Sequence, residues 1–93
     1  MSKFIIAALY RFVRLDDHED MQQQLHQKMI ELDICGSLLL ANEGINGTVA
    51  GTRDGIDRLL AYLRNDDRLA ALEVKESFAD ERPFRRTRVR LKK

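Results

Sequence analysis

The chain has 93 residues, of which 44% are hydrophobic and 33% charged, and this is enough apolar material for one small core but not for two. Its 16 Lys and Arg residues oppose 15 Asp and Glu residues, so the net charge of +1 does not indicate a partner. A single cysteine, Cys35, excludes an internal disulfide, and two histidines at unrelated spacing exclude a zinc motif. We therefore expect one domain in a reducing compartment.

The chain begins with a strand followed by a helix. Residues 4–13 form a continuous apolar run, which predicts a central strand covered on both faces. Asp16 is the expected helix cap, with Glu19 as its capping-box partner. The helix is predicted over about residues 17–32, because apolar residues recur at helical spacing at Met21, Leu25, Met29 and Leu32.

The middle of the chain reads as a hairpin and a second helix. Residues 34–41 and 46–51 are predicted strands of a hairpin, separated by residues 42–45. Thr52 is the expected cap of a helix that ends near residues 65–67. The apolar stripe predicted for that helix consists of Ile56, Leu59, Leu60 and Leu63.

Two further strands are predicted at residues 73–78 and 86–92. The order β-α-β-β-α-β with an extra short strand is typical of an α+β, ferredoxin-like or acylphosphatase-like sandwich, in which two helices cover one face of an antiparallel sheet. Residues 1–93 are expected to form that single domain. No segment is long enough to span a bilayer, and the apolar start lacks a secretory cleavage site, so we expect a cytoplasmic location and no membrane partner.

Positive charge concentrates at the end of the chain. The balance is −3 over residues 1–51 and +4 over residues 52–93, and the last twelve positions hold seven bases and no acid. In the predicted last strand the basic side chains alternate with Thr87, Val89 and Leu91. Alternate residues lie about 7 Å apart, near the phosphate spacing of single-stranded RNA. The alternative explanation is that the basic side chains only prevent the outer strand from pairing with another sheet edge. The predicted RNA-binding set is Arg82, Arg85, Arg86, Arg88, Arg90 and Lys92.

The loop 42–47 is the second candidate contact region, with residues Asn42, Glu43, Gly44, Ile45, Asn46 and Gly47. The Asn-Gly pair at 46–47 is typical of tight hairpins, which explains much of the loop without a ligand. The spacing Gly-x-x-Gly also matches the backbone clamp of KH domains, and an exposed Ile45 would be able to contact a base or a neighbouring domain. Glu43 would repel phosphate.

Other candidate groups have simpler explanations. Phe4, Tyr10 and Phe12 share the parity with which RNA-recognition sheets present aromatic rings, but rings of this kind are more often core, which is what we expect. The acidic residues 16–20 around His18 suit a helix N-terminus better than a metal site. Cys35 is expected to be buried. We predict no catalytic residue, metal or cofactor in this chain.

Two sequence segments closely resemble the N-terminal domain of the bacterial rhodanese-related tRNA uridine hydroxylases. They are LLLANEGINGTVAG at 38–51 and VKESFADERPFRRTRVRLKK at 74–93. The resemblance implies a longer enzyme, a tRNA-modifying oxidoreductase that forms 5-hydroxyuridine at the tRNA wobble position with oxygen. In that family the reactive cysteine lies in a later rhodanese domain, which is absent here. Arg85 and Thr87 depart from the histidine and methionine that relatives carry, so side-chain roles there do not transfer.

Three roles follow as hypotheses. The first is a tRNA-processing, RNA-binding module that holds the anticodon arm of tRNA for the rhodanese domain of the same chain. The second is a structural domain that docks onto the rhodanese domain without touching RNA. The third is an acylphosphatase-like enzyme, against which the junction FVRLDDHED counts, because it is acidic and lacks the glycine-rich phosphate loop that such enzymes carry after the first strand.

Overall fold

A computed structural model describes residues 3–92. Its regular elements are two helices, five strands and one short 3-10 helix. In chain order they are β1 (Phe4–Phe12), α1 (His18–Glu31), β2 (Cys35–Ala41), β3 (Gly44–Gly51), α2 (Arg53–Arg64), the 3-10 helix (Asp67–Leu69), β4 (Glu73–Ala79) and β5 (Thr87–Leu91). This order confirms the predicted α+β, ferredoxin-like pattern with an additional strand. The short 3-10 helix is not among the elements predicted from the sequence.

The five strands form one sheet in the order β4-β1-β3-β2-β5. The pairs β1–β3, β1–β4 and β2–β3 are antiparallel, as expected. The additional strand β5 instead runs parallel to β2. This direction arises because β4 finishes at the end of the sheet where β1 and β2 begin, so the chain crosses that end and re-enters the sheet in the direction of β2.

Both helices pack on one face of the sheet, and the core lies between. The odd positions of β1, Ile5, Ala7 and Leu9, are buried against them. All four residues of the stripe predicted for α2 are buried, whereas in α1 Leu25 and Met29 are buried and Met21 and Leu32 pack at the margin. Burial of this apolar layer provides the main driving force for folding.

The other face of β1 has no helix over it, so the expectation of a strand covered on both faces is wrong. We call this side of the sheet the open face. The run at residues 4–13 looked continuous because apolar side chains occupy both faces of the strand, not because both faces are buried. Tyr10 and Phe12 are exposed there, which also corrects their predicted place in the core.

The helix caps follow the prediction in one case only. The Thr52 side chain accepts a hydrogen bond from the Gly55 amide, as expected for the start of α2. The predicted cap Asp16 is wrong: Asp17 is the capping residue of α1 and makes no side-chain capping bond. Asp16 instead accepts a 2.8 Å hydrogen bond from Arg14 Nε.

The crossing segment, residues 80–86, connects the two outer strands over the open face. Four inter-strand spacings amount to about 19 Å, which eight extended residue steps of about 3.4 Å cover. Arg82 lies over the ring of Phe4, and Phe84 lines a depression with Leu39 and Thr48. The segment therefore explains why Cys35 is buried although its strand position faces outward.

Candidate functional site

Strand β5 presents two arginines on the open face. Arg88 and Arg90 are paired in register with Ser37 and Leu39 of β2, while Val89 between them is buried on the helix side. The predicted alternation of the last strand is therefore confirmed. Arg85 and Arg86 precede the strand and are also exposed. None of these four guanidinium groups has a carboxylate partner within residues 3–92, and we call the four the arginine strip.

The other two basic residues of the predicted set are already paired. Arg82 Nη2 lies 2.8 Å from the Asp33 carboxylate, and its guanidinium lies 5.2 Å from the centre of the Phe4 ring. Asp33 raises the pKa of Arg82 through this hydrogen bond. Lys92 forms an ion pair with Glu43 at the hairpin tip. The predicted set of six therefore divides into a free strip of four and two residues bonded to carboxylates.

The predicted loop 42–47 is mostly strand. Only Asn42 and Glu43 form the turn, and β3 begins at Gly44. Gly44 (φ 145°) and Gly47 (φ 151°) adopt conformations that side chains rarely take. A Cβ at these positions would meet the carbonyl oxygens of Arg11 and Ser37 at 2.1 and 2.2 Å. The glycines thus serve close strand pairing, and this geometry does not support the alternative of a KH-type backbone clamp.

Ile45 is the second correction in this region. It is only 2% exposed and belongs to the core between the sheet and the helices. It therefore cannot contact a base or a neighbouring domain, and an aspartate there would place an unpaired charge in the core. Asn46 is the residue of this stretch that points outward from the sheet, and Asn42 and Glu43 are exposed at the tip.

The open face arranges its residues in rows across the sheet. One row runs Arg90, Leu39, Asn46, Tyr10 and Glu73, and the next runs Arg88, Ser37, Thr48, Ala8 and Lys75. Tyr10 is 43% exposed and Phe12 is 76% exposed, and their ring centres lie 5.9 Å apart. The Glu73 carboxylate on the adjacent strand raises the pKa of the Tyr10 phenol. Sequence periodicity alone did not predict that this face is exposed, although the even positions of the aromatic residues in β1 indicated that they share one face.

The outer edge of β5 is blocked by helix α1. Gln22 Nε2 donates to the Val89 carbonyl at 2.7 Å, and His26 Nε2 lies 3.1 Å from the Thr87 carbonyl. Because a carbonyl only accepts, this His26 nitrogen carries the proton. The two side chains lie one turn apart on α1 and occupy acceptors that another strand would need, so the edge of β5 resists strand addition.

Among the described residues, no three His, Cys, Asp or Glu side chains come together to hold a metal. Asp17, from the acidic stretch, bonds to Arg68 at 2.7 Å instead. Cys35 is buried, and its thiol contacts the Ala50 carbonyl at 3.5 Å. Over residues 3–92, neither helix has the length and apolar character needed to cross a membrane.

Comparison with known proteins agrees with the fold and defines the family. The family described as "UPF0176 acylphosphatase like domain" matches residues 4–93, nearly the whole chain. The chain belongs to this family. The match confirms the resemblance drawn from residues 38–51 and 74–93 and is consistent with the acylphosphatase-like sandwich.

Solved structures with the same fold include BLUF proteins. The dark-state structure of the BLUF protein BlrB has a TM-score of 0.75 and 23% identity, covering 98% of this chain and 73% of that one. Klebsiella pneumoniae BlrP1, in a complex with calcium and cyclic diGMP, has a TM-score of 0.71 and 19% identity. That match covers 94% of this chain and 24% of BlrP1. At these identities the likeness concerns the fold alone.

Proposed function

We propose that this domain is the non-catalytic, RNA-holding part of a tRNA uridine hydroxylase, binding the anticodon arm while a rhodanese domain of the same chain supplies the reactive cysteine. The observation that carries the proposal is the arginine strip, whose four exposed guanidinium groups lack carboxylate partners within residues 3–92. The reaction named in this proposal rests on the resemblance of residues 38–51 and 74–93 to the hydroxylases.

The strip suits phosphate better than it suits a protein surface. Arg88 and Arg90 leave the same side of one strand about 7 Å apart, so each can meet a different phosphate of one backbone. Arginine forms paired hydrogen bonds to phosphate oxygens and releases counterions when it does so. Four such contacts to a single strand give a slope of roughly −3 for log K against log salt concentration.

The division of labour follows from the chemistry. An enzyme that modifies a base needs that base unstacked and held in place. The one cysteine of this chain, Cys35, is buried beneath the crossing segment and is not placed to react with a base. We therefore assign holding to this domain and bond formation to the domain that follows it in the family.

The acylphosphatase-like hypothesis loses support at the junction after β1. The amides of Val13 and Leu15 already donate to the carbonyls of Glu43 and Asn42, at 3.1 and 2.9 Å. These amides are therefore not available to hold a phosphate. The junction also carries the carboxylates of Asp16 and Asp17, which would repel one.

Docking onto the rhodanese domain is the second candidate function, and Phe78 favours it. This residue is 63% exposed on β4, at the sheet edge farthest from the arginine strip. Aromatic residues are enriched at protein–protein interfaces. A docking contact at β4 and RNA at β5 are compatible, because four strand spacings separate the two edges.

The test removes two charges and compares binding to an anticodon stem-loop RNA. We expect the Arg88→Ala/Arg90→Ala variant to bind about 2- to 30-fold more weakly at moderate salt, with the salt slope reduced by about 1 to 2. The charge-matched control is Arg53→Ala/Arg58→Ala on α2, which should bind as the parent does. Fluorescence anisotropy at several salt concentrations gives both values. Equal losses in the two variants would show only a net-charge effect, and no loss in either would leave docking as the better proposal.

A further inference from the structure

We propose that the open face binds two or three consecutive unpaired nucleotides, with bases stacked on Tyr10 and Phe12 and the RNA backbone directed toward Arg88 and Arg90. This inference rests on the proposed RNA-holding function and specifies its ligand as single-stranded. It arises from the structure because only the sheet pairing shows that the rings and the arginines share one uncovered face.

The two rings are placed to receive bases. Both are substantially exposed on a sheet face that the crossing segment covers only at its other end. Their centres lie 5.9 Å apart with 57° between the ring planes, so one flat base cannot cover both. Two successive bases, one on each ring, satisfy this geometry. Bases stack on aromatic side chains with little regard to sequence, which suits a holding surface.

Polar side chains occupy the strands between the rings and the arginines. Ser37, Asn46 and Thr48 lie on the open face, and their side chains take part in none of the hydrogen bonds formed within residues 3–92. Asn46 and Thr48 line a shallow depression together with Phe84 and Arg90. Amide and hydroxyl groups at these positions can bond the edges of bases that lie flat on the rings.

The charges of the face set the direction of the backbone. In the row of Tyr10, Arg90 lies three strand spacings away, about 14 Å, whereas Glu73 lies on the strand immediately beside the ring. Phosphate is therefore attracted toward β5 and repelled from this part of β4. Lys75, in the neighbouring row, is the one positive side chain that β4 adds to the face within the described residues.

A duplex does not fit this arrangement, because paired bases are stacked on each other and present phosphates and groove edges instead of ring faces. A purely apolar protein partner fits less well, because Asn46 and Thr48 of β3 border the rings, and Arg88 and Arg90 lie beyond β2 without carboxylate partners within residues 3–92. Complementary charge together with exposed rings favours an unpaired RNA segment such as the loop of an anticodon arm.

The experiment compares a labelled uridine tetranucleotide with a blunt RNA duplex, using the 93-residue chain and fluorescence anisotropy. We expect Tyr10→Ala and Phe12→Ala each to weaken tetranucleotide binding about ten-fold without changing its salt slope, because stacking releases no counterions. Tyr10→Phe keeps the ring and should bind nearly as the parent does. Tyr62→Ala, on α2 and away from the open face, is the matched control.

The outcomes separate the two proposals. If both ring variants bind the tetranucleotide as the parent does while Arg88→Ala/Arg90→Ala weakens it, stacking is wrong and the proposed function stands. If ring loss weakens the duplex and the tetranucleotide equally, the rings do not select unpaired RNA, and the inference is wrong. If the parent binds neither the tetranucleotide nor the duplex nor an anticodon stem-loop, both proposals fail. Circular dichroism of each variant shows whether the fold persists, which the exposure of both rings leads us to expect.

Discussion

Gly44 is the residue at which the hairpin meets the first strand, and its backbone leaves no room for a side chain. With φ at 145° and the Arg11 carbonyl 2.1 Å from where a Cβ would lie, any other residue forces the strands apart. Ile45 follows directly in the core and would move with it. The glycine is thus a requirement of folding, although it stands in a stretch whose composition suggests a ligand loop.

Replacing Gly44 with alanine should therefore destabilise the domain by about 2 kcal/mol or more, since backbone strain of this kind costs about 1–3 kcal/mol before any clash is added. For a domain of this size the melting temperature should fall by about 8 °C or more. Gly51→Ala is the matched control, because its Cβ would lie 3.1 Å from the Ile34 side chain and 3.8 Å from the nearest backbone atoms of Asp33 and Ile34. Thermal unfolding followed by circular dichroism measures both, and equal melting temperatures in the two variants would contradict the assigned role of Gly44.

At the scale of elements, Arg68 joins the short 3-10 helix to the start of α1. Its guanidinium lies 2.7 Å from both the Asp17 and the Asp66 carboxylates. The hydrogen bonds to Arg68 lower the pKa of each aspartate, and Asp66 also accepts from the Arg68 amide. Asp17 makes no side-chain capping bond, and its carboxylate instead bonds to Arg68, so this cluster links the start of α1 to the 3-10 helix.

The cluster predicts a pH-dependent contribution to stability. Because folding lowers both aspartate pKa values, the contribution is full above the ordinary aspartate pKa of about 3.9 and disappears as the pH falls through the lower values of the folded state. Solvent screens these partly exposed groups, so Arg68→Ala should lose only about 1 kcal/mol at pH 7 and progressively less as the pH falls toward 2. Urea unfolding across this pH range tests the expectation.

The control for Arg68 is Arg58→Ala, whose partner Asp54 lies one turn away on the same helix and is largely exposed. It should change stability by less than about 0.5 kcal/mol at either pH. A stability loss in Arg68→Ala that is the same at pH 2 and pH 7 would show that the side chain acts through packing and not through its ion pairs.

At the scale of the whole molecule, the crossing segment decides how much of the open face is available. Arg82 fixes it near its middle through Asp33 and Phe4, while Arg85 in the same segment makes no side-chain hydrogen bond within the described residues. One end of the face is therefore covered and the end carrying Tyr10 and Phe12 is left free.

Removing this attachment should loosen the segment without unfolding the domain. We expect Arg82→Ala to accelerate hydrogen exchange of the amides in residues 80–86 several-fold. Loss of this exposed ion pair should lower the melting temperature by no more than about 8 °C. Arg85→Ala should leave the exchange rates of the segment unchanged. Exchange followed by mass spectrometry measures both, and identical exchange in the two variants would show that Arg82 does not hold the segment.

The sequence by itself determined the features that depend on neighbouring residues. The buried stripe of α2, the Thr52 cap and the alternation of β5 follow from local periodicity and turn chemistry, and together with the element order they were enough to predict the sandwich. The family followed from two phrases of this same sequence.

Only the tertiary structure decided which side of each strand is covered and which charges are free. Tyr10, expected in the core, is exposed, and Ile45, expected to be exposed, is buried. Strand pairing between distant segments sets which face a residue occupies, and the helices cover only one of the two faces. Arg82 and Lys92 pair with carboxylates far away in sequence, whereas Arg88 and Arg90 have no carboxylate partner within residues 3–92. Burial and ion pairing depend on residues dozens of positions apart in the chain, and a local sequence pattern does not show which of them meet in the fold.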